Sequence, residues 1–517
     1  MLIPQPGVYR RVLLLCSIGY LVVALWLLPY YRYQVNPDGI SYIGIAYKYY
    51  NGNFSEAVNG YWGPLLSWLL APLLALIKDP LLAFRLLSIA IGWFTFWQAC
   101  LLLRKFQFSA TLFILSAVTL LIMITGYVFA LVTPDLLFAG ICLWLVNGLM
   151  ALQQSMRIKS IVQVAIAAAL LYFTKSYGFY FSLVVITVFF AGVFFRKTTG
   201  NRQLAKLFLS CIGLFLLISL AWIICLSKKY NRFTIATAGT YNHQIFGPSS
   251  PGPPMYHVGL MEPSNATATS VREDLSLVNL DEYNWSVFDS KQTLLHQWKL
   301  VKINLYYGWE SLLQFSVFSF VLILLLAYYI IKHRKVILSS PVYPAVIAMF
   351  FLPLGYLLLI LQDRYIWAFA ILLLITGLFV LQQILAKRMK PVIISVISTL
   401  IIISFAWHPV KQLIATKNVD KEIFQLSQQL KKYGIKGRLA SQGGWEGSLY
   451  VAFHLQSHYY GECKSTDAAG IANELRAKNI NYYLVWNRDN VPATIPEGFA
   501  EITNAALPAL RVYKISE

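Results

Sequence analysis

From Val12 to Tyr31 the chain runs for 20 consecutive residues without Asp, Glu, Lys or Arg, and this uncharged apolar stretch constrains the fold more than any other feature. A helix rising 1.5 Å per residue crosses a hydrocarbon core about 30 Å thick in such a length. Similar runs recur, which predicts eleven spans near 11–31, 80–103, 109–127, 136–153, 160–174, 177–195, 205–226, 311–331, 343–361, 365–386 and 391–407. The first run lacks the small-residue pattern of a cleaved leader, so it is expected to be a span. Only 12% of residues are charged, against about 25% in ordinary soluble domains. The expected class is a mainly α, polytopic membrane protein in contact with membrane lipids.

A net charge of +20 would point to nucleic acid in a soluble protein. Here the cations fall into short clusters between apolar runs, so no nucleic-acid partner is expected. Arg10 and Arg11 precede the first run and place the N-terminus in the cytoplasm by the positive-inside tendency. Alternation then puts Arg104/Lys105, Arg157/Lys159, Arg196/Lys197/Arg202/Lys206, Lys332/Arg334/Lys335 and Lys387/Arg388/Lys390 inside. Asp38, Glu56, Asp79, Asp135, the Glu262 to Asp289 group, Glu310 and Asp363 all fall outside. Acids gathered on one face suit chemistry there, although short inner loops that merely exclude acids give the same asymmetry.

Two large outer loops are expected. Residues 32–79 carry helical stretches at Ser41 to Tyr50 and Pro64 to Ile77, the second too short to cross and expected at the interface. Residues 227–308 are polar and include Gly247-Pro248-Ser249-Ser250-Pro251-Gly252-Pro253-Pro254, which favours irregular backbone. Composition changes after His408-Pro409. The chain therefore divides into a transmembrane module, 1–408, and a small α/β domain, 409–517, placed outside by the span count. Its predicted elements are helix 421–433, strand 437–441, helix 447–454, strand 458–462, helix 468–478, strand 480–486 and strand 510–514.

Chemistry-bearing residues cluster at predicted outer ends of spans. Asp38 follows the first span within Asn36-Pro37-Asp38-Gly39-Ile40-Ser41-Tyr42, and Tyr61-Trp62-Gly63-Pro64 and Arg85 come next. Thr133-Pro134-Asp135 occupies a tight turn, Lys175-Ser176-Tyr177-Gly178 another, and Asp363-Arg364-Tyr365 precedes a late span. Each has a structural alternative: helix capping for Asp38 and Asp135, snorkelling for Arg85, a plain loop for Lys175, local pairing with Asp363 for Arg364. The aromatics also suit an interfacial belt. Five of the six cysteines lie in predicted spans, and His243, His257 and His296 lack ligand spacing. No cofactor is required, and a divalent metal is unsupported. The triplets Asn53-Phe54-Ser55, Asn265-Ala266-Thr267 and Asn284-Trp285-Ser286 read as glycosylation sequons but arise easily by chance.

On these residues the chain resembles the GT-C superfamily of membrane glycosyltransferases, and within it the bacterial branch related to protein O-mannosyltransferases and the lipid A aminoarabinose transferase. The likeness covers most of residues 10–405. It implies that Asp38 is the catalytic base, that Arg85 matches the Arg-bearing second span, and that Asp135 is a second acid acting on Asp38, the acceptor or an ion. It further implies sugar transfer from a polyprenyl-phosphate donor to a lipid, glycan or protein acceptor beyond the cytoplasmic membrane, by direct displacement with inversion. Such a reaction needs a base, fixed cations for the departing phosphate and sideways access for a lipid. Arg85, Lys175 and Arg364 suit the phosphate, and Tyr42, Tyr61, Trp62, Tyr177, Asp363 and Tyr365 suit the substrate lining. A lipid-linked glycan transporter, or a non-catalytic scaffold, would use the same cations without bond cleavage.

Overall fold

The computed structural model describes residues 6–196, 200–386, 388–486, 495, 498–504, 507 and 509–515. Lys197 and Lys387, both assigned to inner-face clusters, lie outside the described residues. The first uncharged run forms most of α1 (Pro6–Tyr31), whose Leu14, Leu15, Val22 and Trp26 point outward. An apolar helix with so much uncovered hydrocarbon is stable only in lipid. Pro37 then starts α2 (Pro37–Tyr50), where a fixed φ and a missing N–H cost nothing at the first helical position. The short α3 (Phe54–Ala57) leads to α4 (Pro64–Leu76), which begins on Pro64 in the same way.

Asp79 caps α5 (Pro80–Lys105) by accepting from the amides of Leu81 and Leu82, and Ser109 caps α6 (Ala110–Ala130). Then come α7 (Asp135–Gln154), α8 (Ile158–Thr174), α9 (Tyr177–Arg196) and α10 (Asn201–Tyr230). Beyond α11 (Ala238–Ile245) the connection is irregular through the Gly247 to Pro254 turn. It then gives α12 (Lys291–Phe315), α13 (Ser319–Lys332), α14 (Val342–Leu357), α15 (Trp367–Leu385) and α16 (Pro391–Ala415).

Eight helices among the described residues are long and apolar enough to cross a membrane, and the chain is an integral membrane protein. The pair α12 and α13, bent by 102°, makes a ninth span if counted as one. By length the count is therefore eight or nine rather than eleven. Two expected spans are the 17-residue α8 and the 16-residue α14, and a third, 311–331, is divided by the bend. The outer loop expected over 227–308 is also corrected, because residues 291–308 belong to α12. A capping box between Ser290 and Thr293 starts that helix, and extended backbone at Ser316 ends it. Leu294, Trp298, Leu305 and Trp309 fall on one exposed stripe of α12, the pattern of a helix lying in an interface.

The composition break at His408-Pro409 falls inside α16, which continues to Ala415. The terminal elements follow the expected alternation: α17 (Lys421–Lys432), β1 (Arg438–Gln442), α18 (Trp445–His454), β2 (His458–Glu462), α19 (Ala468–Ala477), β3 (Tyr482–Trp486) and β5 (Leu510–Lys514), with a two-residue β4 (Ala500–Glu501) that the sequence reading missed. The sheet order is β2-β1-β3-β5-β4, parallel across β2, β1 and β3 and antiparallel beyond. This unit is tied to the end of α1: Asn418 N donates to Tyr30 O at 2.9 Å and Val35 N to Asp420 Oδ2 at 3.0 Å.

His454 closes α18 against Phe424, and burial pushes its imidazole down to about 4 from an ordinary 6.5. The unfolded chain takes up this proton first. Stability from the neutral ring is thus complete above pH 6.5 and is lost as pH falls toward 4, by about 3 kcal/mol at most. Hydrogen exchange of residues 445–454 is expected to quicken over that window, and to lose the dependence in His454→Gln.

Candidate active site

Four residues far apart in sequence converge because each stands where a helix starts or stops. Asp38 is the second residue of α2 and Asp135 the first of α7, while Lys175 follows α8 and Arg364 precedes α15. Arg364 bridges the two acids, with Nη2 3.0 Å from Asp38 Oδ2 and Nε 3.7 Å from Asp135 Oδ2. Lys175 Nζ pairs with Asp135 Oδ1 and lies 3.9 Å from the centroid of the Tyr365 ring. Burial draws the Lys175 ammonium down from its ordinary value, and the Asp135 carboxylate opposes it. Neither acid caps a helix. Asn36 and Pro134 hold the cap positions, and no side-chain cap bond forms at either. Local pairing of Arg364 with Asp363 is likewise replaced by the longer-range pairs.

A fifth member comes from the α10–α12 connection, where the sequence reading named no site residue. Arg272 Nη2 lies 3.5 Å from Asp38 Oδ1, and its guanidinium sits 5.7 Å over the Trp445 ring of α18. Three cations thus face two carboxylates, leaving one surplus positive charge. Arg272 is held there by its own carbonyl, which accepts from Trp62 Nε1 at 3.0 Å and Ser41 Oγ at 3.3 Å. The following residues lock the turn Val271–Leu277: Glu273 pairs with Lys48, both almost fully buried, and Asp274 Oδ2 meets Lys229 Nζ at 2.6 Å. A Cβ at Gly44 would collide with the Glu273 carboxylate, so the glycine of α2 makes room for this pair. The Arg272-Glu273-Asp274 run was the available sequence signal.

The expected roles of several residues change. Arg85 has no exposed surface; its Nη1 donates to Val128 O at 3.2 Å and its Nη2 to Gln34 O and Oε1 at 3.1 Å. A sealed guanidinium does not meet a phosphate, so Arg85 is corrected to a clamp between α5, α6 and the end of α1. Tyr42 and Trp62 are buried edge to face instead of lining a cavity, and Trp62 holds the Arg272 carbonyl. Gly63 lets Pro64 start α4 directly against the Phe173 and Thr174 carbonyls, which a Cβ would strike. Tyr61 packs on Trp62 and Tyr241, and burial pushes its phenol up to about 12. Tyr177 is engaged as well, donating to Phe351 O at 2.7 Å, and Tyr365 stacks on Tyr356.

Asp38, Asp363 and Arg364 share the wall of an open cavity of about 590 Å³ with Tyr307, Glu310 and Gln314. An apolar hollow of about 260 Å³, walled by Trp309, Phe320 and Phe369, shares Leu361 with it as a lining residue. A polar chamber with three carboxylates and a guanidinium, beside an apolar slot, suits a ligand with a polar head and a hydrocarbon tail. Among the described residues no group of three or more His, Cys, Asp or Glu is placed to hold a metal ion.

No family model and no curated protein sequence matches the chain. Solved structures do. The apo oligosaccharyltransferase of Archaeoglobus fulgidus superposes with a TM-score of 0.57 at 12% identity, over 92% of this chain and 69% of that one. ArnT from Cupriavidus metallidurans bound to undecaprenyl phosphate gives 0.55 at 12% identity, over 96% and 97%. The archaeal oligosaccharyltransferase AglB from A. fulgidus, in complex with an inhibitory peptide and a dolichol-phosphate, gives 0.56 at 12% identity, over 92% and 69%. The chain has the GT-C fold that its sequence resemblance implied.

Proposed function

We propose that this protein is a glycosyltransferase that moves a sugar from a polyprenyl-phosphate donor to an acceptor on the extracytoplasmic face of the cytoplasmic membrane. The observation that carries the reading is Asp38 and Arg364 paired on the wall of one cavity, with Arg272 on the other Asp38 oxygen. The fold supports it, and so do the polyprenyl phosphates in two of the similar structures. Near-complete mutual coverage with ArnT favours the bacterial branch.

In this reading the donor phosphate enters the cavity and its prenyl chain lies in the apolar hollow beside α12. An anion arriving at Arg272 and Arg364 competes with Asp38 for them, which frees carboxylate oxygen to accept the acceptor proton. The acceptor oxygen bonds to the anomeric carbon as the bond from that carbon to phosphate oxygen breaks, and the electron pair leaves on the phosphate. The Arg272 and Arg364 guanidiniums released from Asp38 stabilise that anion. Asp135 keeps Lys175 and Arg364 in place.

The direct test is purified protein in liposomes with radiolabelled polyprenyl-phosphate sugar. Release or transfer of the sugar is expected; movement of intact donor across the bilayer without cleavage would overturn the reading in favour of a transporter. Arg272→Lys, which keeps the charge and loses the planar fork, is expected to lower kcat/KM about tenfold, and Arg272→Ala about 10²-fold.

A further inference from the structure

A second cavity, of about 860 Å³, opens between the 254–283 segment and the terminal sheet, outside the acid-cation cluster. We propose that it is an oligosaccharide-binding cleft that seats the polyhydroxylated part of the acceptor; this rests on the transferase reading for its role. Its size lies in the upper range for ligand sites, which run to about 1,000 Å³. His257, Glu262, Asn265, Glu282, Arg438 and Tyr460 line it. Carboxylates, an amide, an imidazole and a phenol ring are the groups that grip sugar hydroxyls and ring faces.

Two observations narrow the ligand further. Both ring nitrogens of His257 meet no partner among the described residues, a hydrogen-bonding capacity that is met when the ring turns toward a ligand in the cleft. In addition, the outer edge of β2 is already occupied: Tyr459 N donates to Thr269 O and Met261 N to Tyr460 O, each at 2.7 Å. A peptide cannot add there as a further strand, and whatever binds must be held by side chains. The cleft also touches the catalytic cluster through the chain itself. Val271 lines it, and the next residue is Arg272 on Asp38.

The test is full-length protein in nanodiscs on an array of soluble oligosaccharides containing neutral and amino sugars, with no donor present. Retention of a subset is expected, with a loss of about tenfold for each hydrogen-bonding partner removed in His257→Ala and Glu262→Ala. Unchanged hydrogen exchange in β1 and β2 would show that both variants fold. Asp38→Asn is expected to bind sugars as the native chain does. Failure of the native chain to retain any oligosaccharide, or native-like retention by His257→Ala/Glu262→Ala, overturns the cleft. Retention by a chain that never cleaves the donor leaves the cleft standing and removes the transferase reading instead.

Discussion

Asp38→Asn is expected to lower kcat about 10³-fold, equivalent to about 4 kcal/mol of transition-state stabilisation, with KM for the donor little changed. Asparagine is nearly isosteric and can still meet Arg272 and Arg364, so the substitution removes proton acceptance while leaving the cavity shape. The loss should persist at every pH, because an amide does not become a base. Single-turnover sugar transfer by native and variant protein in liposomes checks it, with donor binding measured separately. Transfer within about threefold of native would show that Asp38 only positions cations.

The second large effect is expected from Lys48→Met. Lys48 and Glu273 are each about 3% exposed, and removing one partner leaves the other charge buried without compensation, at a cost of about 3–5 kcal/mol. The turn that carries Arg272 should loosen, so hydrogen exchange over 271–277 quickens and transfer falls with it. Burial holds the Glu273 carboxyl above its ordinary value, and Lys48 opposes that shift. Without Lys48, the protonated acid suits its site, so the variant is most stable below the ordinary carboxyl value and loses stability as pH rises through the folded one. Lys48→Met/Glu273→Met should recover much of the loss, since a well-packed apolar pair replaces a buried ion pair at little cost.

The sequence made some of this legible and hid the rest for identifiable reasons. Uncharged length and basic clusters were enough for most helices, and alternation recovered the order of the terminal unit, since both signals are local. Asp38, Asp135, Lys175 and Arg364 were readable because charges at the ends of apolar helices are scarce. Arg272 was not, because it lies in a polar segment where charges are ordinary and its partner is 234 residues away. Arg85 misled through the same scarcity: its acceptors are the side chain of Gln34 and two main-chain carbonyls, and main-chain acceptors leave no mark in a sequence. The helix α12 was hidden by its lysines, which mask an apolar stripe covering less than half its surface.

The seam joining Tyr30 and Val35 to Asn418 and Asp420, with Trp445 against Arg272, has a consequence for biogenesis. Val35 and Asp420 lie 385 positions apart, so this seam closes only after the intervening helices have been synthesised, and the aromatic support of Arg272 is missing from a nascent chain until Trp445 has emerged.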